Sequence, residues 1–93
     1  MRRYELTVIF PMEEDQHKAG RDLLLSVLSA NGVEIEKTDE IGERALAYEI
    51  KKRQRGRYVL LTIKADPAKI AVLNKAFRIN ADLLKFLFVR IDE

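Results

Sequence analysis

Two β-prone runs, residues 45–50 (A-L-A-Y-E-I) and 58–63 (Y-V-L-L-T-I), lie with only residues 51–57 between them. So short a link holds a turn but no crossover helix, so the runs pair antiparallel as a hairpin. The turn is dense in positive charge: Lys51, Lys52, Arg53, Arg55 and Arg57 surround Gln54 and Gly56. Each Lys or Arg that neutralises a phosphate releases condensed counterions, so such a tip suits a polyanion. The alternative is a solvated turn, since surface charge commonly faces water only.

The rest of the chain flanks this hairpin with one strand and one helix on each side. Residues 3–10 alternate: Tyr4, Leu6, Val8 and Phe10 point one way, and Arg3, Glu5, Thr7 and Ile9 the other. That is a half-buried strand, and Pro11 ends it. Glu13, Glu14 and Asp15 place negative charge where a helix N-terminus favours it. Gly20, Leu24, Val27, Leu28 and Ala30 follow at helical spacing, and Asn31-Gly32 tolerates the left-handed geometry that closes a helix. Gly20 costs helix propensity, which points to a close approach of the helix to the sheet.

Residues 33–50 form a long second strand. Ile35 sits on one parity, and Leu46, Tyr48 and Ile50 on the other; a bulge or bend near Ile41-Gly42 reconciles them. Residues 57–65 form the third strand, with Val59, Leu61 and Ile63 on one face and Tyr58, Leu60 and Thr62 on the other. Asp66-Pro67 is a helix start, an N-cap acceptor before proline. Ile70, Leu73 and Phe77 make its stripe, residues 80–82 a loop, and residues 84–91 the fourth strand.

The order β-α-β-β-α-β is the ferredoxin-like arrangement, an α+β fold. At 93 residues it is expected as a single domain over 1–93. Right-handed crossovers put both helices on one face of a four-stranded antiparallel sheet. The expected core is Leu6, Val8, Leu24, Leu28, Ile35, Ile63, Leu73, Phe77, Phe86 and Phe88. Two helices cover one face only. The other carries Ile9, Tyr58, Leu60, Leu87, Val89 and Ile91. An open apolar face fits a protein partner; the alternative is scattered residues shielded by neighbours such as Arg3.

Charge is distributed unevenly although the net value is only +2. Glu34, Glu36, Asp39, Glu40 and Glu43 precede the mostly basic residues 44–57, so two different surfaces are expected. Other chemistry is sparse. The chain has no cysteine, which excludes disulfides and thiolate sites and makes the cytosol the simplest compartment. Glu5 interrupts any signal-peptide apolar region, and no run approaches the roughly 18 apolar residues of a membrane span. His17, the single histidine, reads as a solvated residue in a first helical turn. The carboxylate pairs Glu13-Glu14 and Asp39-Glu40 sit at element ends, and Ser26 and Ser29 have no base nearby. No phosphate loop, dinucleotide motif or nucleophile elbow occurs, so no enzyme, cofactor, metal or small-molecule substrate is expected. A base-reading sheet would need aromatics on two strands. Strand three offers only Tyr58, and strand one offers Glu5 and Thr7. Phosphate and shape contacts fit better.

The motifs carry a family resemblance along nearly the whole chain. R-R-Y-E-L opens strand one, I-G-E-R-A-L-A-Y-E-I fills strand two, G-R-Y opens strand three and F-R-I follows helix two. Gly42, Arg44, Leu46, Ala47, Tyr48 and Ile50 match a pattern written G-x-R-x-L-A-Y-x-I. The chain resembles bacterial small-subunit ribosomal protein number six. That resemblance implies a ferredoxin-like fold, a structural role in the cytoplasmic ribosome, and pairing with small-subunit ribosomal protein number eighteen. It also implies joint binding to the central domain of the small-subunit ribosomal RNA. Arg2, Arg3, Arg44 and Arg78 stand at family-matching positions. With Lys85 and Arg90 they are the first candidate RNA contacts; Lys51, Lys52, Arg53, Arg55 and Arg57 are the second, on charge density alone. Tyr58, Leu60, Leu87, Val89 and Ile91 are the candidate protein-partner residues.

Three departures stand out. Glu49 replaces a usual proline, which removes an edge-blocking residue. Leu84 and Lys85 replace a basic pair. The sequence stops at Glu93, where many members continue into a polar tail, so tail-mediated contacts are not expected. Two rival readings differ in class. A ferredoxin-like ligand-sensing or homodimerisation domain predicts a stable dimer without RNA binding. An acylphosphatase-type enzyme needs a phosphate-cradling loop after strand one, where P-M-E-E-D is acidic.

Overall fold

The computed structural model describes residues 1–80 and 82–91. Ala81, inside the expected loop, and Glu93, the expected end, lie outside the described residues. The elements are β1 (Arg2–Phe10), α1 (Glu14–Ala30), β2 (Glu34–Ile50), β3 (Arg53–Ala65), α2 (Pro67–Arg78) and β4 (Lys85–Arg90). The sheet runs β2-β3-β1-β4 with every neighbouring pair antiparallel. This is the expected ferredoxin-like fold.

Period-two alternation makes β1 the centre of the sheet. Tyr4, Leu6, Val8 and Phe10 are buried with Val59, Leu61 and Ile63 of β3, and Leu24, Leu28, Leu73 and Phe77 of the helices close over them. Both helices therefore share one face. In α1 the buried positions are His17, Gly20, Leu24 and Leu28, one stripe at helical spacing. In α2 the Asp66 side chain accepts from the Ala68 N–H at 2.9 Å ahead of Pro67, the cap expected from the sequence. Phe77 stacks on Phe88 at 6.0 Å and meets Phe86 edge-on at 5.5 Å, which ties α2 to β4.

Three local expectations are corrected. Ile35 is not core: it pairs with Ile63 on the helix side but lies in edge strand β2, and it is 36% exposed. Leu83, outside the helix and strand patterns, and Leu84, expected to open the fourth strand but lying just ahead of β4, are buried instead. The turn does not span residues 51–57. It consists of Lys51 and Lys52, both at positive φ (49° and 64°), and β3 begins at Arg53. Two left-handed residues are what a two-residue hairpin of right-handed twist requires.

Two glycines permit close approach. A Cβ on Gly56 would lie 2.5 Å from Ile9 Cγ2 and 3.2 Å from the Phe10 carbonyl oxygen, so β3 approaches the end of β1 this closely only because no side chain intervenes. A Cβ on Gly20 would lie 2.6 Å from the Asp82 carbonyl oxygen and 3.1 Å from Phe10 Cδ1. The expected close approach at Gly20 is thus to Phe10 of the sheet and also to the segment before β4. The bulge expected near Ile41-Gly42 is present, as a register shift between Glu40 and Gly42, with Gly42 at φ 95°.

Candidate nucleic-acid and protein interface

Strand register decides what the open face presents. Thr7 pairs with Leu60 and Leu87, Ile9 with Tyr58 and Lys85, and Glu5 with Thr62 and Val89. These residues have the parity opposite to the buried set, so they project away from the helices. Leu87 is 55% exposed and Val89 48%. Tyr58, Leu60 and Ile91 are half-buried. Ile9 is the exception: it is buried, packed against Gly56. A shallow depression of about 210 Å³ is lined by Thr7, Ile9, Tyr58, Lys85, Phe86 and Leu87. Lys85 Nζ donates to Tyr48 Oη at 2.8 Å and sits 5.1 Å from the centroid of that ring. The hairpin thus bends over the sheet end toward β4. The five candidate partner residues share one face, and an amphipathic rim of Tyr48 and Lys85 borders it.

The basic hairpin is more compensated than its sequence implies. Lys51 Nζ donates to the Leu83 carbonyl at 3.1 Å. Arg53 reaches Gln16 and Glu13, Arg55 reaches Glu43, and Arg57 reaches Glu14. Lys52 is exposed at the turn. Because β3 starts at Arg53, three of the five charges belong to a strand and not to a tip.

The first candidate group divides between the two ends of a molecule 36 Å long. Arg2 pairs with Ala65, Arg3 with Lys64, and Arg90 with Tyr4, all at the end where α2 begins. Arg44 pairs with Gly56 and Lys85 with Ile9 at the opposite end, and Arg78 closes α2. Arg3 Nε donates to Glu36 Oε1 at 2.8 Å, and Lys64 Nζ lies 3.8 Å from the same carboxylate. Arg44 Nη1 donates to the Glu43 carbonyl. Sequence reasoning misses Tyr48, which the hydrogen bond from Lys85 places at the rim, and Lys64, which the β1–β3 register places beside Arg3.

His17 is buried, not solvated, and meets Phe10 edge-on at 5.0 Å. Burial, then the nearby Arg57 and Arg21 charges, hold its pKa below the ordinary histidine value, although Glu14 and Glu40 pull the other way. Glu40 is held below the usual carboxylate range by its hydrogen bond from Arg21 and by that residue's charge. Among the described residues no three His, Asp or Glu side chains gather as a metal site. No described helix is long and apolar enough to cross a membrane.

The family model for ribosomal protein S6 matches residues 3–90. The chain belongs to the ribosomal protein S6 family. Its relatives include small ribosomal subunit protein bS6 of Treponema denticola, 50% identical over the full length of both chains. The bS6 protein of Treponema pallidum is 42% identical over 99% of each. The solved 30S ribosomal protein S6 of Thermotoga maritima superposes with a TM-score of 0.85 at 22% identity, covering 97% of this chain and 87% of the other. A chemotaxis kinase P2 domain, also from Thermotoga maritima, has a TM-score of 0.64 at 15% identity, so the fold serves other functions as well. Family membership makes the chain a structural protein of the small ribosomal subunit, not an enzyme, located in the cytoplasmic ribosome.

Proposed function

We propose that the chain, acting as a single ferredoxin-like domain over residues 1–93, binds the central domain of the small-subunit ribosomal RNA together with ribosomal protein number eighteen. The observation that carries this reading is the open sheet face, where Leu87 and Val89 are solvent-facing at a site no helix covers. A monomer gains nothing from such a surface unless a partner covers it. Arg2, Arg3, Arg44, Arg78, Lys85 and Arg90 supply phosphate contacts around that face and at its ends. Because they divide between two ends, these six form no continuous basic groove among the described residues, so affinity comes from the pair of proteins.

A salt titration of the two-protein complex on a central-domain RNA fragment tests the reading. Binding weakens steeply with salt, and Arg2→Ala/Arg3→Ala lowers the log–log slope by about 1 for each phosphate that is no longer neutralised. Tight RNA binding by the isolated chain, or no binding by the pair, contradicts it.

A further inference from the structure

Arg53, Arg55 and Arg57 occupy alternate positions of β3, so they leave one side of the strand at intervals of about 7 Å. Each is met by a carboxylate from another element. Arg53 Nη2 donates to Glu13 Oε2 at 3.4 Å and to Gln16 Oε1 at 2.8 Å. Arg57 Nη2 donates to Glu14 Oε2 at 2.9 Å, and Arg55 Nε to Glu43 Oε1 at 2.7 Å. A row of guanidinium groups at this spacing suits successive phosphates of an extended strand, because carboxylate and phosphate offer arginine the same kind of oxygen acceptor. The carboxylates are accessible: the side chains of Glu13, Glu14 and Glu43 are 51%, 81% and 48% exposed. The side chains of Arg53, Arg55 and Arg57 are 28%, 54% and 32% exposed, so the Arg53 and Arg57 pairs are open to solvent chiefly from the carboxylate side. Ion pairs in contact with water are weak and exchange with other anions.

We propose that β3 carries a masked polyanion-binding ladder, Arg53–Arg55–Arg57, whose resident counter-anions are Glu13, Glu14 and Glu43 and which takes a single-stranded RNA backbone when they are displaced. The ladder accounts for three of the five positive residues between 51 and 57; Lys51 donates to a carbonyl and Lys52 stands exposed at the turn. In taking phosphate as its ligand the inference rests on the RNA-binding reading above, and its test is kept separate.

The test uses the full chain alone, with poly(U) as the probe, titrated with salt. Wild type binds weakly. Glu13→Gln/Glu14→Gln/Glu43→Gln tightens binding on the order of tenfold at low salt and steepens the log–log slope by about 0.7 for each arginine released onto a single strand. Asp22→Asn/Glu34→Gln/Glu49→Gln changes net charge equally, at carboxylates that form no ion pair among the described residues. It gives a smaller gain and leaves the slope unchanged. Adding Arg53→Ala/Arg55→Ala/Arg57→Ala to the first variant abolishes its gain, and circular dichroism verifies that each variant is folded. Glu14→Gln alone gives about 0.7 of added slope, as one released arginine should. Equal gains from the two triple variants, or none from the first, overturn the proposal. The two-protein titration on central-domain RNA stands or falls independently of poly(U).

Discussion

On the helix side of β1, Tyr4, Leu6, Val8 and Phe10 are all buried; on the other side of the same strand Glu5 is exposed and Thr7 half-buried. β4 repeats the contrast, with Phe86 and Phe88 packed against the core and Leu87 and Val89 turned to solvent. The two faces of β4 are comparable in apolar character but not in cover. Hydrophobicity along a strand therefore predicts what needs burying, and the layer architecture decides which face gets it within one chain. Where cover is missing, the exposed apolar face is the place for the proposed partner. Substitution on the helix side should cost stability, and substitution on the open side should cost association.

The largest stability effect is expected at Leu28, fully buried between α1 and the sheet. Leu28→Ala lowers unfolding free energy by about 2–5 kcal/mol in chemical denaturation, through lost transfer energy and a residual cavity. A loss near zero would mean that Leu28 is not packed between α1 and the sheet. Next come the two close approaches. Gly56→Ala drives a methyl into Ile9, and Gly20→Ala drives one into the backbone at Asp82; each costs about 1–3 kcal/mol. Unchanged midpoints would mean that the hairpin and α1 do not approach as described.

His17 sharpens the helix side through pH. Its folded pKa lies below its ordinary value of 6.5, so the unfolded chain binds the proton more readily. The contribution is fully present above 6.5 and is lost as pH falls through the depressed folded value. His17→Gln should flatten the pH dependence of the melting temperature in that window. The smallest effect is at the turn. Lys51→Asn/Lys52→Gly relieves two left-handed lysines and should stabilise by about 1 kcal/mol, read from the denaturation midpoint.

Element order, the helix caps and most of the core are legible in the sequence because they depend on local period and on end signals. Asp66-Pro67 and the alternation in β1 are local facts that tertiary structure does not override. Ile35 misleads because edge position is a property of strand order, which the pattern of one strand does not contain. The hairpin misleads because Gly56 has the look of a turn glycine, whereas its role is to let β3 lie close against Ile9 and Phe10. His17 misleads because its polar neighbours Gln16 and Lys18 hide its place on the buried stripe. At the site, charge density locates the arginines of β3 but not their carboxylate partners. Those lie 40 positions away for Arg53 and 43 for Arg57, and across the hairpin for Arg55. Such pairings require the fold.

Leu87, 55% exposed and opposite Thr7, is the residue at which a protein-binding role of the open face is decided. The measurement is the affinity of Leu87→Asp for purified ribosomal protein number eighteen, by calorimetry beside a denaturation curve of the same variant. Stability within about 0.5 kcal/mol of wild type is expected, as for a surface substitution, with affinity reduced on the order of a hundredfold, as when a charge replaces an interface anchor. Wild-type affinity in the folded variant contradicts that role.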